Sequence, residues 1–173
     1  MTLVMGVDPG SRITGYGLIR DIDRRHQLVE SGLIKAGDGD LVGRLAVIYD
    51  GLTEVIDRHQ PTEMAIEKVF VARSADSALK LGQARGVAIV AAAHRGLAVS
   101  EYAARMVKQA VTGTGSASKA QIQHMVRALL RLTELPPSDA ADALAIAICH
   151  LHTCEVEQRV AGAQRAAVAK GDR

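Results

Sequence analysis

The chain has 173 residues, 48% apolar and 23% charged, with a formal net charge of +2. That is enough apolar matter for one globular domain. No stretch approaches 18 uncharged apolar residues, and the N-terminus lacks the basic start and long apolar run of a signal peptide, so neither a membrane span nor secretion is expected. Cys149 and Cys154 form neither C-x-x-C nor a disulfide framework, and reduced thiols in a cytoplasmic location are expected.

The first element, LVMGVD (3–8), is a short apolar run ended by Pro9 and Gly10, the signal of a buried strand. TGYGLIR (14–20) and QLVESGLIKA (27–36) are further strands, joined by the polar hairpin DIDRRH. Leu41, Leu45, Ile48, Leu52, Val55 and Ile56 recur at helical spacing, so 40–59 is a helix, stopped by Pro61. MAIEKVF (64–70) is a fourth strand. A long helix over 75–94, capped by Asp76 or Ser77, carries Gly82 and Gly86 one turn apart, where a neighbour can approach closely. Core packing is the default for that face and a subunit contact the alternative. LAVSEY (97–102) is a fifth strand, 103–111 a short helix, and GTGSAS (113–118) a flexible loop. Ser118 and Gln121 make a capping box for a helix over 119–132. The helix that begins at SDAADALAIAICH (138–150) follows Pro136 and Pro137, and the Ala-, Gln- and Arg-rich stretch 155–173 reads as a frayed or disordered tail. The domain is thus 1–154, an α/β fold with a five-stranded mixed sheet: a meander of three strands, then two reached by helical crossovers.

Charge is distributed unevenly. Residues 1–67 hold 11 Asp or Glu, whereas 77–133 hold only Glu101 against eight Lys or Arg. A basic stretch of this kind suits a polyanion, although a solvated surface balanced by acids elsewhere reads equally well.

Four acids stand out by position. Asp8 ends the first strand, and Glu67 interrupts the apolar run of the fourth. Asp139 and Asp142 are three apart and share a helix face. Unpaired carboxylates in buried strands are costly, and clustered ones repel. If strands one and four are neighbours, the four could converge at one end of the sheet. There a hard divalent cation, Mg²⁺ or Mn²⁺ in its place, would relieve the repulsion. Two such ions can activate water and stabilise the leaving oxygen of a phosphodiester. The bland alternative for each acid is a cap, salt bridge or surface charge, and it suits Asp139 best, at a helix start.

GVDPGSRITGYG, AIEKVF, ADSALKLGQARGVAIVAA, EYAARMVKQAVTGTGSASK and DAADALAIA resemble the RuvC family, the bacterial Holliday-junction resolvases, over about residues 3–153. The resemblance implies a ribonuclease-H-like fold, a homodimer, and Mg²⁺-dependent hydrolysis of two opposed strands of a four-way DNA junction. The products would be nicked duplexes with 5′-phosphate and 3′-hydroxyl ends, made in recombination and repair alongside the RuvA–RuvB branch-migration machinery. The family's acids match Asp8, Glu67, Asp139 and Asp142, its functional lysines Lys108 and Lys119, and its loop phenylalanine Phe70. Phe70 could stack on an unpaired base, with a core plug as the alternative. With Arg73, Lys80, Arg85, Lys108 and Lys119 it makes up the candidate DNA contacts. The helix with Gly82 and Gly86 is the candidate dimer face.

Three other readings fit less well. VDPGS with TGYG resembles the first phosphate loop of actin-like ATPases and sugar kinases, but no second loop follows, and GTGSASK is not a P-loop. A non-catalytic junction binder would leave the four acids incidental. A zinc site in CHLHTC (149–154) is disfavoured, because positions 149, 150, 152 and 154 of a helix point in several directions.

Overall fold

The structure, a computed structural model, describes residues 2–23, 25–68 and 74–171. Five strands form one sheet: β1 (Thr2–Asp8), β2 (Ile13–Ile22), β3 (Arg25–Lys35), β4 (Glu63–Lys68) and β5 (Ala98–Ala103), in the order β3-β2-β1-β4-β5. The meander β1–β2–β3 is antiparallel, and β4 and β5 join parallel to β1. Parallel neighbours need crossovers. α1 (Leu41–His59) supplies the one from β3 to β4 and α2 (Ala75–Ala93) the one from β4 to β5.

Period-two alternation sorts the strand residues between two cores. Met5, Val7, Leu18, Met64 and Ile66 face α1 and α2, meeting Ile48, Leu52, Val55 and Ile56. The fully buried residues that α2 contributes to this layer are Ala84, Ala88, Ala91 and Ala92, a small-residue stripe that lets it lie close to α1. Val4, Ile19 and Ala65 face the other way, toward α3 (Ala104–Thr112), α4 (Lys119–Leu129) and α5 (Ser138–Gly171).

Local chemistry sets the helix ends. Asp40 caps α1 through Gly43 N–H at 2.7 Å, and Gln60 ends it in the left-handed region. The capping box of Ser118 and Gln121 is present at α4. The cap of α2 is Ser74, not Asp76 or Ser77; its hydroxyl accepts from Ser77 N–H at 3.2 Å, and Asp76 lies inside the first turn. GTGSAS, expected to be a loose loop, is a tight turn. Gly113 closes α3 with φ +79°, and the Thr112 hydroxyl accepts from Thr114 N–H at 3.3 Å.

Two further expectations are corrected. A Cβ on Gly82 or Gly86 would meet nothing within 4 Å, so this face of α2 is open rather than packed in the core. The stretch expected to fray after residue 155 continues α5 through Gly171. Extending an existing helix adds one hydrogen bond per residue with no new nucleus, and Ala, Glu, Gln and Arg are strong helix formers. Glu155 and Arg159 add an i,i+4 pair at 3.3 Å.

Candidate active site

α5 lies almost directly on β1 and β2, because the strand positions beneath it are glycines. A Cβ on Gly6 would overlap the Ala143 carbonyl, one on Gly15 the Asp139 carbonyl, and one on Gly17 the Leu144 side chain. These glycines occupy the same sheet face as Val4 and Asp8. The glycine-bordered seat therefore delivers the first turn of α5, with Asp139 and Asp142, onto the end of β1. Asp8 is its last residue and pairs with Gly15. On the other side of β1, β4 runs parallel in the register Val7↔Ile66, which carries Glu67 to the same end.

Carboxylate oxygens of Asp8, Asp139 and Asp142 lie within 4.8 Å of one another. Glu67 is not one of this trio but lines the same cavity of about 260 Å³, together with Lys108, Lys119, Ala104, Val107 and Ile146. Burial, then the charges of Asp142, Glu67 and Asp139, push the Asp8 carboxyl up to about 7. Burial and Asp142 also raise Glu67. Lys119 Nζ donates to Asp142 at 2.9 Å and stands 3.8 Å from Asp139, and its pKa is raised by that hydrogen bond. An all-oxygen donor set, crowded enough to hold back the ionisation of its own members, suits a hard divalent cation.

Two supporting devices carry no sequence motif. The turn after Asp8 is tied by the buried Thr14, whose hydroxyl donates to Gly10 C=O at 2.9 Å and accepts from Gly10 N–H at 3.3 Å. The end of β4 is held by Arg85, which donates to the Glu67 carbonyl at 3.3 Å and pairs with Glu101 at 2.6 Å. The glycine seat was visible as alternation in the GVDPGSRITGYG stretch, but nothing in the sequence said what it faces.

The structure brings Asp8, Glu67, Asp142, Lys108 and Lys119 together in one cavity, and Asp139 joins the site through the carboxylate trio with Asp8 and Asp142. Lys80 is elsewhere, paired with Asp76 at 2.6 Å. Phe70 and Arg73 lie outside the described residues. The basic block is partly neutralised in space: Arg95 binds Asp57 at 2.6 Å, in addition to the pairs of Lys80, Arg85 and Lys119. Among the described residues no helix is long and apolar enough to cross a membrane.

A mixed sheet in the order β3-β2-β1-β4-β5 with helices on both faces and carboxylates at the shared end of β1 and β4 is a ribonuclease-H-like fold. The family described as "Crossover junction endodeoxyribonuclease RuvC" matches residues 4–150, so the chain belongs to the RuvC family. A relative of that description from Pseudomonas fluorescens is 61% identical over 153 residues, 88% of each chain. One from Aeromonas hydrophila is 55% identical over 162 residues, 94% of each. The solved structure of Thermus thermophilus RuvC in complex with a Holliday junction substrate superposes with a TM-score of 0.85 at 34% identity, covering 91% of this chain and 97% of that one. The yeast mitochondrial Holliday junction resolvase shares the fold alone, with a TM-score of 0.60 at 9% identity and coverage of 84% and 77%.

Proposed function

We propose that this protein is a Holliday-junction resolvase whose reaction is hydrolysis of one phosphodiester in each of two opposed strands. The observation that carries the reading is the carboxylate trio with Lys119, set at the sheet end of a RuvC-family fold. The Thermus relative's structure holds a Holliday junction, which supports the same DNA partner here.

Asp8, Asp139 and Asp142, with Glu67 across the cavity, would hold Mg²⁺, as a pair of ions, or Mn²⁺ in its place. Such a cation supplies water activation and charge stabilisation at a phosphate. The chain's own part is then positioning. The carboxylates orient the attacking water and accept its proton. Lys119, drawn away from Asp142 by phosphate, and Lys108 neutralise charge that develops on the non-bridging and leaving oxygens. Replacing Lys119 by Ala should lower the single-turnover cleavage rate roughly 10²-fold with the melting temperature little changed. A wild-type rate would remove this lysine from the chemistry.

Phe70 and Arg73 are assigned to the junction from sequence, Phe70 as a stacking platform. Two symmetric cuts require two identical sites in fixed relation, hence a homodimer. The open Gly82/Gly86 face of α2 supports that interface. Cooperation with a RuvA–RuvB branch-migration complex in the cytoplasm completes the reading. We assign the nuclease domain to residues 1–154. The exposure of residues 156–160 supports that boundary, and truncation after residue 159 should leave both cleavage and melting temperature close to wild type.

The deciding experiment incubates a synthetic four-way junction, and a linear duplex of the same sequence, with the protein in Mg²⁺ and then in EDTA. Paired, symmetric, ligatable nicks in the junction alone, dependent on Mg²⁺, are expected. Tight junction binding without cuts, across several crossover sequences and in Mn²⁺ too, would leave an inert binder.

A further inference from the structure

A second group of ligating side chains lies on the α5 face of the sheet, at the opposite end of β4. Glu63 opens that strand, roughly 13 Å along it from Glu67. Above it, His150 and Cys154 are four apart on α5 and so share one helix face. Only part of CHLHTC converges: Cys149 is buried in the core, and the His152 ring packs against His26 with centroids 5.5 Å apart. His150 Nε2 is 2.5 Å from Glu63 Oε2 and 3.7 Å from Cys154 Sγ, and the three ligand atoms lie within 4.8 Å of one another. Tyr102 Oη is 2.8 Å from the other ring nitrogen, Nδ1.

We propose that Glu63, His150 and Cys154 form a second metal site, for a zinc-class divalent ion, separate in place and in chemistry from the carboxylate centre. One oxygen, one imidazole nitrogen and one thiolate make a mixed donor set that favours Zn²⁺ over Mg²⁺. Bonds of about 2.0–2.3 Å place tetrahedral ligands about 3.3–3.8 Å apart. The His150–Cys154 separation already fits. Glu63, whose side chain keeps 33% of its exposure, needs to swing back by only about 1 Å from its hydrogen bond. The same exposure provides an entry path, and water supplies the fourth ligand.

Proton placement is consistent. On coordination the Cys154 thiol proton leaves to solvent, and the Nε2 proton that bonds Glu63 in the metal-free protein is exchanged through solvent for one on Nδ1, so that the Nε2 lone pair turns to the ion. The ring proton resides on Nδ1, where the Tyr102 oxygen accepts it, and a partner of that kind orients metal-binding histidines. The ion would tie the first residue of β4 to α5, two turns beyond Asp142. It would therefore stabilise the fold that positions the carboxylates without entering their chemistry.

The test titrates the reduced, metal-free, full-length protein with Co²⁺ in excess Mg²⁺, which occupies the carboxylate centre. One equivalent should produce a thiolate-to-cobalt charge-transfer band with four-coordinate d–d intensity, and Zn²⁺ should bleach both stoichiometrically. A carboxylate-only site gives no such band. The band should vanish in Cys154→Ser and persist in Cys149→Ala. Affinity should fall at least tenfold in Glu63→Gln and in Tyr102→Phe. Zn²⁺ at a hundredfold excess over its Kd should raise the melting temperature by roughly 5–10 °C in the wild type and not in Cys154→Ser. Absence of the band in the folded wild-type protein would overturn the proposal. So would a band that survives Cys154→Ser, or undiminished affinity in Glu63→Gln, which would mark adventitious binding to a surface thiol.

Discussion

Asp8→Asn and Asp142→Asn are each expected to lower junction cleavage at least ~10³-fold while raising the stability of the metal-free protein. Asp8, Asp139 and Asp142 crowd within 4.8 Å, and the Asp8 carboxyl is pushed up to about 7 by burial and by its acidic neighbours. A neutral amide of the same shape removes that repulsion together with a ligand. In EDTA the melting temperature of either variant should therefore rise by roughly 5 °C. The pH dependence separates this from a general effect. The folded pKa of Asp8 lies above its value of 3.8 in the unfolded chain. The proton thus favours the folded state: its contribution is fully present below the unfolded pKa and is lost as pH rises through about 7. Without metal, wild-type stability should fall between about pH 4 and pH 7, with a weaker fall in Asp8→Asn. Mg²⁺ should suppress the wild-type decline. Thermal melts at several pH values, with and without Mg²⁺, read all of this. Full cleavage by either variant, or a lower melting temperature in EDTA, would mean that the acids are not a repulsive ligand cluster.

Gly15→Ala is expected to be the most damaging single-methyl change near the site, although Gly15 touches no substrate in the proposed reaction. Its added Cβ would overlap the Asp139 carbonyl oxygen, a backbone atom in the first turn of α5. Relief requires α5 to lift from β2, which carries Asp139 and Asp142 away from Asp8. Misplacement by about 1 Å can reduce a rate by 10²-fold, and overpacking of this kind costs about 1–3 kcal/mol. Cleavage should fall by about two orders of magnitude and the melting temperature by several degrees. Gly39→Ala, where a Cβ meets nothing within 4 Å, is the control and should be neutral. Wild-type activity in Gly15→Ala would show that the seat of α5 tolerates displacement.

The strands and helices were largely readable from pattern, since alternation and helical spacing report which face each residue buries. Three misreadings have local causes. Ser74 directly precedes Ala75, but Asp76 and Ser77 are capping residue types too, so the sequence offered three caps within four positions. Gly82 and Gly86 are at a helical spacing that suits a packed face as well as an open one. After Glu155 the apolar stripe ends, but the residues remain good helix formers, and α5 continues without a core to face.

The residue types of the site were likewise present in the linear chain: an acid ending β1, an acid inside β4, two acids on one helix face, and two lysines around a glycine turn. Their convergence depended on strand order. Only the parallel pairing of β1 with β4 sets Asp8 beside Glu67, and only the glycine-lined approach of α5 brings Asp139 and Asp142 to the same end. The charge block of 77–133 depended on packing in the opposite sense, because Asp57, distant in sequence, reaches across to neutralise Arg95. His150 and Cys154 met Glu63 for the same reason as the acids of the candidate site met one another. The sequence alone determined the secondary elements, their buried faces and the chemical groups on offer, because those follow from local periodicity. Which of those groups touch was decided by the tertiary structure, because contact between distant segments depends on register and on how closely two backbones can approach.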